Sequence, residues 1–473
     1  MEKVRIQDDL FHNVNGAHLD ELVIPDDRPV AGGFAELDEG VEKIMRDDFA
    51  AFASGRKKVD EDLAEVNEAV RLYKKVLNAG EREAQGISPA LRYLEKIDSL
   101  ENVEQLNELS MELNLKWGLP LPVQFGVEPN MKNALENALC LTGPQTILPD
   151  TSYYAEDNEA GKMLLEVYAG MMKQLLALTP LTEAAQKEYL EDALAFDRNI
   201  AKVSKSQLEW ADYVANYNPM TLDEAAGYLL PFDLKGLLKQ YYGEELPQQV
   251  IAYDPKAIKG FATYFQADNF SQYRHWAYVT ALLKASAYLS EEIHTIGTTF
   301  RRAMYGIAKD PVLDKQAYQL ASGIFHEPVG IYYGRTYFGE QAKADVISMV
   351  KEIIATYKER VADNDFLEES TKQKAILKLS TMEIKMGYPD KAEAFYSELK
   401  VDESLPLLDI MTGLNERICR HNLDDLNKPV DRSRWAMPGH MVNACYNPFS
   451  NDITFPAAIL QAPFYSLKQT RSE

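Results

Sequence analysis

Four groups of residues have the types and spacing that could carry chemistry, and each has a plain structural reading beside it. His326-Glu327 opens like the first two residues of a zinc-peptidase helix, which needs a second His one turn later. Pro328 follows and position 330 is Gly, so the two ligands are not formed there. Glu291 and His294 have the i, i+3 spacing of carboxylate-bridged metal sites. Such sites need a second Glu-x-x-His pair, and the chain has none, so the expectation is a structural pair and no metal ligands. Cys445 falls in an expected strand with no basic neighbour, which describes an inert thiol. Asn443-Ala444 lies on that same strand. A strand edge can pair with an extended peptide, and an Asn amide both donates to and accepts from a peptide bond. The alternative is that Asn443 only satisfies a turn.

Other chemistries leave no trace. Neither a phosphate loop, nor a dinucleotide Gly-x-Gly-x-x-Gly, nor a Gly-x-Ser-x-Gly elbow occurs, and no catalytic residue is assigned within the chain. Net charge is −23 and spread along the sequence, which argues against nucleic acid and anionic membrane as partners. No apolar run reaches the length of a membrane span, and the first residues carry acids where a signal peptide has an apolar core. The three cysteines, Cys140, Cys419 and Cys445, are far apart and odd in number, which fits a reducing, cytoplasmic setting.

The elements that must hold these residues read as mainly helical. Val346, Met349, Val350, Ile353, Tyr357 and Val361 form one apolar stripe along residues 344–361. Residues 370–386 read as a helix stopped by Gly387 and Pro389, and similar runs cover 161–178, 183–204 and 273–292. Residues 118–126 are extended because their prolines forbid helix. Near the C-terminal end a β-hairpin is expected: a strand over 442–446, a turn over 447–451, and a return over 452–455 halted by Pro456. A lone hairpin is marginal in water and needs something to pack on.

A series of short motifs then bears on function. Asp8-Asp-Leu-Phe-His-Asn-Val-Asn-Gly16, Leu148-Pro-Asp-Thr-Ser-Tyr-Tyr154, Val203-Ser-Lys205, Tyr217-Asn-Pro-Met-Thr221 and Ile384-Lys-Met-Gly-Tyr-Pro389 follow one another in order. They lead to Val442-Asn-Ala444 and Phe455-Pro-Ala-Ala-Ile-Leu-Gln461. The series resembles the neprilysin (neutral endopeptidase) family of zinc metallopeptidases, most of all its cytoplasmic bacterial oligopeptidase O branch. Two positions depart from it: His18 stands where the family usually has Trp, and Cys445 where it has an aromatic residue.

The resemblance implies a mainly α fold: a large multi-helix lobe and a small α+β catalytic lobe, incomplete here, with a C-terminal β-hairpin. Residues 1–33 and 401–473 would belong to the catalytic lobe, and 34–400 to the helical lobe covering the substrate cavity. It implies an oligopeptide substrate, with Asn443 anchoring the substrate backbone through its side chain and Ala444 pairing through its main chain. It also implies zinc on a His-Glu-x-x-His helix, which these 473 residues do not contain. Two expectations follow. The first is the N-terminal portion of a zinc endopeptidase, with no cofactor of its own and inactive alone, the remainder being supplied by a separate C-terminal polypeptide or lost by frameshift or clipping. The second is a truncated, catalytically dead relative that binds peptide or has no function. The first also implies bare apolar surface at Ile459, Leu460, Phe464 and Tyr465.

Overall fold

The structure is a computed structural model that describes residues 4–470. It divides into two compact units, each discontinuous in sequence: residues 78–304 with 399–431, and residues 1–77 with 305–398 and 432–473. Residues 34–77, 305–398 and 432–473 thus fall in one unit, where the Phe34–Ala53 and Glu65–Leu77 helices pack on each other and on the Leu313–Ile324 helix.

The first of these units, the middle unit, is built around the Phe270–Ser286 helix. Eleven of its 17 residues are buried, so it is apolar nearly all round, as a helix at the centre of a large core must be. The Glu183–Ala201 helix packs along it. Thr182 starts that helix by accepting from the Ala185 amide at 3.3 Å. Phe196, Phe261, Tyr264, Phe265, Tyr273 and Trp276 meet in tilted and edge-to-face pairs 5.0–6.0 Å apart. A four-stranded sheet flanks this core in the order β1 (Gln124–Asn130), β2 (Asn133–Thr142), β4 (Gln249–Ala252), β3 (Pro219–Thr221). The extended reading of 118–126 thus meets a loop over 118–123 and then the start of β1.

The split unit holds the helices Phe34–Ala53, Glu65–Leu77, Leu313–Ile324 and His326–Tyr333 around Met45, Phe49, Leu72, Tyr73 and Phe325, all buried. A second sheet has the order β5 (Glu383–Gly387), β7 (Asp452–Pro456), β6 (Cys445–Asn447). The expected hairpin forms, with Cys445 opposite Thr454 and Asn447 opposite Asp452. It is not alone, since β5 pairs in parallel with β7.

That third strand corrects the helix expected over 370–386. The helix runs Glu369–Ser380 and stops where the Ser380 and Thr381 hydroxyls donate to Ile376 O (2.7 Å) and Leu377 O (3.0 Å). Residues 383–387 instead pair with 452–456, a contact invisible to local periodicity. The 344–361 stripe does lie on one helix, Gly339–Ala362, but only Ala342 and Val346 are buried on it. Ile353 and Tyr357 are more than half exposed. Among the described residues, no helix is long and apolar enough to cross a membrane.

Candidate functional site

The β6 edge is fixed from below by a buried polar knot. Lys385 on β5 donates to Asp452 Oδ2 (2.8 Å) and to the Arg434 carbonyl (2.6 Å). Ser450 donates to the same carboxylate, and Thr454 donates to its other oxygen at 3.2 Å. All four side chains are buried, and each finds a partner of opposite charge or polarity, the condition under which a buried ion pair holds a strand register. Arg432 ties the turn by donating to Ser450 O (2.9 Å) and Thr381 O (2.8 Å). Asn451 closes it in the left-handed region at φ 49°, a conformation Asn tolerates.

From above, the segment before β6 is wedged against the His326–Tyr333 helix. A Cβ on Gly330 would stand 2.4 Å from the Gly439 amide nitrogen, and one on Gly439 would stand 2.4 Å from the Gly330 carbonyl oxygen. Only glycine at both positions permits this approach. Ala458 donates to Gly439 O at 2.9 Å and continues the clamp.

Asn443 and Ala444 lie at the start of this edge, just before β6 rather than within it. Asn443 is exposed, and its side-chain oxygen accepts from the Ala444 amide at 2.8 Å, while its own backbone amide donates to Met441 O at 3.1 Å. In this state Asn443 serves its own turn. β6 pairs only with β7, so among the described residues its other edge is open. Cys445 follows, half-buried, and burial, with Asp452 adding to it, holds its thiol above the ordinary value. That is the environment of an unreactive cysteine.

The other sequence candidates resolve into structure. Glu291 accepts from the buried Arg82 at 2.6 Å, and His294 Nδ1 meets the Ala287 carbonyl at 3.3 Å, so they serve two separate contacts. His326-Glu327 does begin a helix: Pro328 is tolerated in its first turn, and what denies a second ligand is Gly330. His326 Nδ1 lies 3.3 Å from the Gly323 carbonyl, and its Nε2 lies 2.9 Å from the Tyr396 hydroxyl. The carbonyl can only accept, so Nδ1 carries the proton and Nε2 accepts from the tyrosine. Burial keeps His326 below its ordinary pKa, and the same effect, with His326 close by, takes His440 down to about 4. The Nδ1 of His440 is enclosed without a hydrogen-bond partner.

Sequence reasoning missed β5 and with it Lys385, although Ile384 and Met386 alternate with Lys385 in a short strand-like pattern. It also missed Glu188, Asp192 and His275, whose donor atoms all lie within 4.8 Å of one another in the middle unit. Asp192 and His275 are 83 residues apart in sequence, and no local spacing signals them.

Comparison with known proteins now bears on this edge. The pattern of peptidase family M13 matches residues 6–389. The chain is 38% identical to a neutral endopeptidase of Lactobacillus helveticus over 465 residues, which span 98% of this chain and 71% of that protein. The chain belongs to peptidase family M13. Human neprilysin is 24% identical over 502 residues, covering 98% of this chain and 66% of neprilysin. Among solved structures, PEPO from Lactobacillus rhamnosis HN001 superposes with a TM-score of 0.91 at 33% identity, over 99% of this chain and 73% of that one. Zinc metalloprotease ZMP1 of Mycobacterium tuberculosis, solved in complex with an inhibitor, gives 0.84 at 25% identity, over 99% and 70%.

M13 is a family of zinc metallopeptidases, so the chain is of a peptidase lineage and peptides are its substrate class. The residues around the β6 edge do not fit the family's zinc. Both ring nitrogens of His326 are engaged, its neighbouring Glu327 accepts from the Glu393 amide at 2.5 Å, and no His-Glu-x-x-His occurs in the 473 residues.

Proposed function

We propose that this chain works as part of a zinc-dependent endopeptidase that hydrolyses oligopeptides, and that it supplies the strand on which the substrate lies. The observation that carries the reading is the open edge of β6 with Asn443 and Ala444 at its start. An extended peptide adding to that edge would form main-chain hydrogen bonds whatever its sequence, which suits an enzyme that accepts many peptides. The Asn443 side chain, now bonded to the Ala444 amide, would turn outward to hold the substrate backbone, and Ala444 would offer its main chain. Residues 1–33 and 401–473 would contribute to the catalytic lobe, and 34–400 to a helical lobe. Zinc would be held by residues other than these 473, on the same polypeptide or on a second one, and the setting would be cytoplasmic.

Peptide binding tests this directly. A labelled peptide of about ten residues should bind the 473-residue chain, as read by fluorescence anisotropy. Asn443→Ala should weaken binding roughly tenfold, the loss of a hydrogen bond or two to a fixed backbone. Equal binding by the variant and the parent would remove Asn443 from the substrate site. Cleavage by the purified 473-residue chain, blocked by a chelator, would instead place the zinc ligands within it and overturn their assignment elsewhere.

A further inference from the structure

Glu188 and Asp192 stand one helical turn apart on the Glu183–Ala201 helix, so both carboxylates project from one face. His275 comes from the Phe270–Ser286 helix packed against it. It is buried, and its Nδ1 lies 2.7 Å from Asp192 Oδ2. The Tyr189 ring stacks on the imidazole at 3.7 Å between centroids and 19° between planes, which fixes where Nδ1 points. The three residues thus offer one nitrogen and two carboxylate oxygens, all within 4.8 Å of one another. The site grades from the buried His275 through the half-buried Asp192 to the exposed Glu188, which leaves an ion a path from solvent.

We propose that Glu188, Asp192 and His275 form a binding site for a divalent transition metal that clips these two helices together. The donor set is an imidazole with two carboxylates, a combination suited to borderline ions such as Zn²⁺ and poorly matched to calcium, which takes six or more oxygens. Metal–nitrogen and metal–oxygen bonds of about 2.0–2.2 Å require the donors to stand somewhat more than about 3 Å apart. Asp192 therefore gives up its direct contact with His275 Nδ1, and the exposed Glu188 side chain swings in. The Nδ1 proton leaves and Nε2 takes one, as metal binding to a neutral imidazole demands.

Arg274 sets the limit on affinity. Its guanidinium lies 3.4 Å from His275 Nε2 while also donating to the Leu100 carbonyl at 3.1 Å. A positive charge on the far side of the ring opposes a cation, and the guanidinium must shift when Nε2 becomes a donor. The site should therefore be weaker than a dedicated three-histidine centre. It is a clip rather than a reaction centre, and the proposal stands apart from the peptidase reading.

The test strips the 473-residue chain with a chelator and titrates Zn²⁺ against a chromogenic competitor. One equivalent should bind and should raise the melting temperature of the middle unit. Glu188→Gln changes an exposed side chain, so folding is preserved, and it should weaken binding at least tenfold. Asp192→Asn and His275→Gln should abolish both the binding and the thermal shift. Full retention of zinc in Glu188→Gln and Asp192→Asn, or no binding by the parent chain, would overturn the site. Peptide anisotropy at Asn443 reads a different signal, so neither result stands in for the other.

Discussion

The two units bury their apolar residues to very different extents. In the middle unit one continuous cluster runs from Ala90 through Phe196 and Trp276 to Leu426, and it takes up strands and helices alike. In the split unit three helices carry few or no buried side chains: Leu10–Glu21 and Glu369–Ser380 have none, and Gly339–Ala362 has two. Leu10, Phe11, Val14, Ile353, Tyr357 and Leu377 all stand exposed there. The middle unit therefore gains stability from area removed from water. The split unit has a smaller core around Met45, Phe49 and Tyr73, and adds to it specific polar ties, such as Lys385 with Asp452, and close backbone approaches at Gly330 and Gly439. The bare surface expected around the C-terminal strands is narrower than the sequence implies. Phe464 is exposed yet stacks on Phe34 at 5.4 Å, Tyr465 donates to Asp345 at 2.9 Å, and Ile459 and Leu460 are half-buried.

The largest effect should come from truncating the middle core. Phe196→Ala is expected to cost that unit about 3–5 kcal/mol in chemical denaturation, since the side chain is fully buried among aromatic neighbours. Ile353→Ala in the split unit should change stability by no more than about 0.5 kcal/mol. Similar losses at the two positions would erase the contrast.

Acid should pull the units in opposite directions. His440 titrates near 4 in the fold against about 6.5 in an unfolded chain, so the split unit loses stability as pH falls from about 6.5 toward 4. Asp197 is fully buried; burial raises its pKa to about 6 even though it accepts from the Ile147 amide and the Tyr154 hydroxyl. Its unfolded value is about 4, so it gives the middle unit stability as pH falls from about 6 toward 4. Each contribution is on the order of 1–3 kcal/mol across its window. Calorimetry between about pH 7 and 5 should show the transitions separating, with the separation reduced in His440→Gln and in Asp197→Asn. Parallel shifts in both variants would break the comparison.

The smallest effect refines it. Gly413 sits inside the Leu407–Leu423 helix, and a methyl group added there would have nothing within 4 Å, so Gly413→Ala should stabilise the middle unit by about 0.5–1 kcal/mol in a thermal melt. The same change at Gly330 should destabilise the split unit.

Local rules read the helices well. Periodicity placed Glu159–Leu176, Glu183–Ala201 and Gly339–Ala362, because each repeats its apolar face over several turns. Turn residues between 447 and 451 placed the hairpin. What escaped depends on partners distant in sequence. Glu383–Gly387 is a strand because Asp452–Pro456 lies beside it, and the β1–β2 hairpin completes a sheet with two strands far further along the chain. At the candidate site, the residues alone left Asn443 and Ala444 open between a peptide-pairing edge and a turn, and the ordered motif series favoured the first. The glycine clamp and the Lys385–Asp452 knot that fix their surroundings were not legible, since each joins positions tens of residues apart.

The split unit also has a history written into its connectivity. Its helices Phe34–Ala53 and Glu65–Leu77 emerge from the ribosome early and can pack on each other, yet their remaining partners in this unit begin only at residue 305, after residues 78–304 have been made. At about 5–20 residues per second that is a wait of roughly 10 to 50 s in which Phe49 can meet Tyr73 but not Tyr318, so part of this apolar surface stays uncovered. The middle unit can assemble most of its interior during that interval. A nascent chain with this order of events needs protection from chaperones at its beginning far more than at its centre.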